Sequence, residues 1–143
     1  MKTHVCAVFL IAFVPCCVSA CEPGSVVDPR FATPERTVAT LLGAHGLRGL
    51  DEAQIRARLI RGGGLEVGDR AAYEACFVDL AEAGEGRAAY VVGLLAARVD
   101  HLRFEIVGDR ASVFPRQGVR VAMVRREGAY RIELATSSAP PAL

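Results

Sequence analysis

The chain has 143 residues, 52% of them hydrophobic, and sets 17 Lys and Arg against 16 Asp and Glu for a formal net charge of +1. A balance this even gives no electrostatic reason to expect nucleic acid or another acidic polymer as partner. The length suits one domain with a modest core and is short for two.

Residues 1–20 differ from the rest. Lys2, the only lysine, stands beside the amino terminus as a small positive region, and the uncharged run VCAVFLIAFV follows from Val5 to Val14. A permanent helical span needs roughly 20 apolar residues, whereas the apolar region of a signal peptide is about 7–15 long. Pro15 ends the run, and the segment closes on Val18-Ser19-Ala20-Cys21. This tetrapeptide resembles the lipobox of bacterial lipoproteins: an aliphatic residue, two small residues, then cysteine. Val18 stands where leucine is commoner, and Cys16 and Cys17 lack the preceding pair of small residues. The resemblance implies cleavage after Ala20 and a diacylglyceryl group on the Cys21 thiol. Each buried methylene contributes about 0.8 kcal/mol and two chains hold firmly. The body would then sit on the periplasmic or outer face of a bacterial membrane. Val18-Ser19-Ala20 also fits an ordinary secretory cut, and both readings export the chain.

Of five cysteines, the cut leaves Cys21 and Cys76, and lipidation consumes the first. An internal disulfide is then excluded, and Cys76 reads as a small buried hydrophobe. Residues 21–32 contain Pro23, Gly24, Ser25 and Pro29 and read as a tether. A single domain is expected over 33–136, and 137–143 reads as a frayed tail.

Within the domain helices come first. Thr33 suits an N-cap with Pro34 at the first helical position and Glu35 near the positive end of the dipole. Val38, Leu41 and Leu42 give that helix its apolar face, and the segment 43–49 stops it. Asp51 and Gln54 have capping-box spacing, with Leu50 and Ile55 as a hydrophobic staple. Ile55 and Leu59 mark the buried side, Arg56, Arg58 and Arg61 the solvated one, and Gly62-Gly63-Gly64 the end. Asp69 caps a third helix, in which Tyr73, Cys76, Phe77 and Leu80 fall on one face. A fourth spans Arg87 to Ala97 with Tyr90, Val91, Leu94 and Leu95 on its apolar side.

From His101 the period changes to two. Leu102, Phe104 and Ile106 alternate with charged residues, and Gly108-Asp109 suits a hairpin turn. Ala111 and Val113 continue to a stop at Pro115. Val119, Val121 and Met123 form a third strand, Glu127-Gly128 a turn, and Tyr130, Ile132 and Leu134 a fourth strand. Arg103, Glu105, Arg120, Arg131 and Glu133 occupy the polar face, where cross-strand charge pairs are expected. Short loops imply antiparallel neighbours. The expected fold is α+β, N-terminal helices packed on one side of a curved four-strand antiparallel meander.

The opening Pro34, Glu35 and Val38, the further helices, and the closing Tyr130-Arg131-Ile132 resemble the NTF2-like superfamily over about residues 33–135. Two features depart from it: a longer helical part, and Tyr130 where tryptophan is common. The resemblance implies a cone with a cavity between helices and sheet, and no particular activity.

His45, in Gly43-Ala44-His45-Gly46, reads as an exposed loop residue. Asp100 and His101 at the first strand suit a solvated turn; at a cavity mouth they would form an acid–base pair, as in some NTF2-like isomerases and cyclases. Tyr73, Phe77, Tyr90 and Phe104 read as core, or as the lining of a pocket for an apolar ligand. No HxH, HExxH or CxxC spacing suggests a metal, and Gly62-Gly63-Gly64 lacks the lysine of a phosphate loop; no cofactor is expected. Arg125-Arg126 flanks a turn, in water or against anionic lipid headgroups. The expectation is a membrane-anchored envelope lipoprotein that acts as a non-catalytic binding or structural module. Its partner would be another envelope protein or a small apolar ligand. The alternative is an NTF2-like enzyme using Asp100 and His101.

Overall fold

The structure, a computed structural model, describes residues 26–61 and 65–141. The leader motif at Val18, Ser19, Ala20 and Cys21 and the glycines 62–64 lie outside the described residues. The elements are α1 (Pro34–Ala44), α2 (Glu52–Ile60), α3 (Arg70–Ala75), α4 (Leu80–Ala83), α5 (Glu85–Ala97), β1 (Arg103–Val107), β2 (Arg110–Arg116), β3 (Val119–Arg126) and β4 (Ala129–Glu133).

The helix ends follow from local chemistry. The Thr33 hydroxyl accepts from Arg36 N at 3.3 Å, with Pro34 in the first turn where its missing N–H removes no helical bond. At the other end Leu47 N reaches Leu42 O and Gly46 N reaches Gly43 O, with Gly46 at φ 67°. This is the six-to-one and five-to-two pairing of a Schellman stop, and the left-handed position favours glycine. The capping box of α2 is complete: Gln54 N donates to Asp51 Oδ1 at 2.7 Å and Asp51 N to Gln54 Oε1 at 2.9 Å. Asp69 Oδ1 accepts from Ala72 N at 3.0 Å to start α3.

The fold is α+β, with the helices against one face of an antiparallel sheet in the order β1-β2-β3-β4. Ala111, Val113, Val121, Met123 and Ile132 form the buried inner face, and Leu41 of α1 with Val91 and Leu95 of α5 closes over it. The Thr37 hydroxyl donates to Tyr130 O at 2.8 Å and pins α1 to β4. The Glu127-Gly128 turn has φ 51° and 80°. Two consecutive positive values suit the twist of the strands it joins.

Several expectations are corrected. The third helix does not run to Leu80. It ends at Ala75, and Phe77 enters a parallel bridge with Ile132, where Ile132 N reaches Cys76 O at 2.7 Å and Val78 N reaches Ile132 O at 3.0 Å. The outer edge of β4 needs partners for its backbone, and the chain leaves the helix to supply them. Asp79 extends this clamp by accepting from Leu134 N and Ala135 N, both at 2.8 Å. Leu59, expected to be buried, is 40% exposed, because α2 reaches the core through Ile55 alone. Arg58 is exposed as expected and also donates to Gly46 O at 2.7 Å. β2 passes through Pro115 to Arg116 by a register irregularity between Val113 and Arg116. At a bulge, proline removes no ladder bond.

The polar face also pairs differently. Arg103 meets Glu105 of its own strand at 2.6 Å, while Glu133 takes Arg110 at 3.1 Å. Arg120 donates to Thr136 O at 3.1 Å, and Arg131 donates to Ala75 O.

Both ends of the domain lie beyond their expected limits. Phe31, placed in the tether by sequence, closes a short 3-10 turn (Pro29–Phe31) and is 2% exposed. Val27 packs on the β3–β4 turn so closely that a Cβ on Gly128 would stand 2.5 Å from its Cγ2. At the other end the expected frayed tail is bonded through Ser138. Ser137 Oγ accepts from Ala122 N at 2.9 Å and donates to Glu133 O at 2.7 Å, and Ser138 N donates to Arg120 O at 2.8 Å. Arg87 donates to Leu134 O and Ser137 O, each at 2.7 Å.

Candidate functional site

The sequence offered two places for function: an aromatic pocket and an acid–base pair. The four aromatic residues do not converge. Tyr73 and Phe77 are core, edge to face with centroids 5.1 Å apart, and Tyr73 also meets the His45 ring at 5.4 Å. Phe104 is half-buried at the margin of the sheet. Tyr90 lines a groove, an open depression of about 320 Å³ between α5 and β2. Ala89, Gly93, Leu94 and Pro115 give it an apolar lining, and Arg98 and Arg116 line it as well. The cavity implied by the superfamily resemblance is occupied: Val91, Leu95, Val113, Val121 and Met123 fill the helix–sheet interface and are wholly buried.

Asp100 and His101 lie in a 3-10 turn (Val99–His101) ahead of β1 and face the start of α2 instead of each other. Asp100 Oδ2 accepts from Glu52 N at 3.0 Å, satisfying a first-turn amide of that helix. His101 Nδ1 lies 2.8 Å from Glu52 Oε1, with the histidine side chain 63% exposed. The hydrogen bond from His101 holds the Glu52 carboxyl below its ordinary range against the opposing effect of desolvation. The carboxylate that engages the histidine is therefore Glu52, which linear spacing does not reveal. His101 also lines an open groove of about 390 Å³ with Arg98, Arg103 and Arg116, adjoining the Tyr90 groove.

His45, expected in an exposed loop, is 6% exposed. Gly68 N and Asp69 N both bond to Ala44 O, folding the following loop over it. Its Nδ1 stands 3.1 Å and 3.2 Å from Leu65 O and Glu66 O. Two carbonyls can only accept, so Nδ1 carries the hydrogen, and the buried Nε2 has no partner among the described residues.

Cys76 is wholly buried, with Sγ 3.1 Å from Ala72 O. Burial pushes its thiol from 9.0 up to about 12, and burial, followed by the hydrogen bond to Glu85, lifts the Tyr73 phenol from 10.0 to about 12. A thiolate is the reactive form, so native Cys76 is expected to resist iodoacetamide at pH 8 and to react at full rate once unfolded. Both folded values are raised. Their contribution to stability is thus complete below pH 9 and is lost as pH climbs towards 12, and equilibrium unfolding measured from pH 8 to 11 should show that decline.

Among the described residues no helix is long and apolar enough to cross a membrane, and no group of three or more His, Cys, Asp or Glu could hold a metal ion. Fold and surface together define an α+β domain with a packed interior and shallow, arginine-flanked grooves. No family model, curated protein or solved structure matches the chain.

Proposed function

We propose that the chain is an exported lipoprotein of a bacterial envelope, anchored through Cys21, whose body is a non-catalytic binding or structural module. The address rests on Lys2, the short apolar run and the tetrapeptide Val18-Ser19-Ala20-Cys21. The reading of the body rests on one observation: its own side chains occupy the helix–sheet interface, which leaves the surface for recognition. The Tyr90 groove suits a small apolar group, and the guanidinium groups of Arg98 and Arg116 suit an anionic end on the same ligand. His101 serves as a surface partner of Glu52 in this reading, with no proton to move for a substrate.

Mass spectrometry of the native purified chain tests the address. The expected N-terminus is Cys21 carrying diacylglyceryl mass, with Cys21→Ala released from the membrane fraction. A native chain beginning at Met1, or at residue 21 without acyl mass, would refute anchoring. His101→Ala is expected to leave the function of the chain intact, and a loss of function with the fold preserved would favour acid–base chemistry instead.

A further inference from the structure

Among the described residues β1 is the open edge of the sheet, paired only with β2. The opposite edge, β4, is covered by the Phe77 bridge and the Asp79 clamp. Along β1, Ile106 is 53% and Val107 80% exposed. Unpaired edges are templates for another strand.

The direction of the free backbone groups is fixed by the hairpin. Val107 and Arg110 flank the Gly108-Asp109 turn and are register partners. In a hairpin with a two-residue loop the flanking pair exchanges both hydrogen bonds. Arg103, Glu105 and Val107 therefore turn their N–H and C=O groups towards β2, and Phe104 and Ile106 turn theirs outward. Leu102, with φ −68° and ψ 129°, is extended and continues the outward set. None of these outward groups bonds elsewhere among the described residues.

We propose that two copies of this chain pair antiparallel through β1 about a twofold axis at Phe104, making one continuous sheet. That register sets Phe104 opposite its counterpart and Leu102 opposite Ile106, all with outward-facing backbone groups. It also sets Arg103 of each copy opposite Glu105 of the other. These non-hydrogen-bonded positions bring side chains closest, Cα atoms about 4.5 Å apart. Opposite charges directly across a ladder stabilise it, and like charges destabilise it. Moving the axis to Glu105 would oppose two carboxylates and leave each arginine against Val107. An odd shift would meet outward groups with inward ones and turn the side chains to the wrong face. The strand's two charges and its apolar residues thus select one self-complementary register.

Charge reversal in the full chain tests this, read by sedimentation velocity, with thermal melting to check that each variant folds. The wild type should be a dimer. R103E alone and E105R alone place like charges across both sites and should weaken association by more than about tenfold. An equimolar mixture of the two variants restores both pairs and should dimerise, as should the doubly swapped chain R103E/E105R. A wild type that stays monomeric, single variants that still dimerise, or a mixture that fails to recover would each overturn the proposal. A monomer whose β1 instead accepts an extended peptide would identify a different occupant and likewise overturn it.

Discussion

Phe31→Ala is expected to destabilise the domain by about 3–5 kcal/mol, seen as a large fall in the denaturant midpoint. The ring is 2% exposed and belongs to the same cluster as Val38, Tyr73 and Ile132. Guanidinium groups stand over it at 5.4 Å (Arg30) and 4.9 Å (Arg131). Removing the ring deletes its burial, leaves a cavity that α1 and β4 cannot fully close, and strips two cations of an aromatic surface. The Asp28 carboxyl, held below its ordinary range by its hydrogen bonds to Arg30, reinforces the turn that presents the ring. Val26→Ala is the control: at 96% exposure it should change stability by no more than about 0.5 kcal/mol. Equal, small effects at both positions would return this whole segment to a tether.

Asp79→Ala is expected to cost about 1–3 kcal/mol by the same measurement, through loss of two charge-assisted bonds. Its two carboxylate oxygens each hold one backbone N–H, on Leu134 and Ala135, where the chain leaves β4. Without them the Leu134 amide, partly buried beside a wholly buried side chain, has no acceptor. Asp79→Asn keeps a single acceptor oxygen and should fall between wild type and alanine. Amide hydrogen exchange gives the local signature: Leu134 and Ala135 should lose protection ahead of the β2–β3 ladder. If exchange accelerates evenly through the sheet, the clamp has no local role.

These two residues also mark the limit of what sequence reveals. The starts of α1, α2 and α3 were legible because their signals are complete within a few residues, as in Thr33-Pro34 and the Asp51–Gln54 box. Those of α4 and α5, which begin at Leu80 and Glu85 with no side-chain cap, were not. The meander was legible because side-chain period and turn residues are also local, from Gly108-Asp109 to Glu127-Gly128. Asp79 takes partners 55 and 56 positions away, and Arg87 partners 47 and 50 away. No short-range pattern announces such bonds. The stripe Tyr73, Cys76 and Phe77 is buried as its apolar spacing predicts, yet its backbone is not one helix. A bridge to β4 buries the same side chains while breaking the helical backbone. Around the candidate sites, the histidine was legible and its partner was not: Glu52 precedes His101 by 49 positions. Tyr90 reached a groove while Tyr73 and Phe77 went into the core, since helical spacing assigns a face and leaves open what the face meets.

The packing of Val27 on the Glu127-Gly128 turn, set beside the Ser138–Arg120 bond, gives the domain a polarity. The described chain enters at one end of β3 and departs at the other, a separation of about 3.3 Å for each residue of that strand. Two probes, one on the Val27 side and one on the Ser138 side, would therefore report from opposite ends of a single strand.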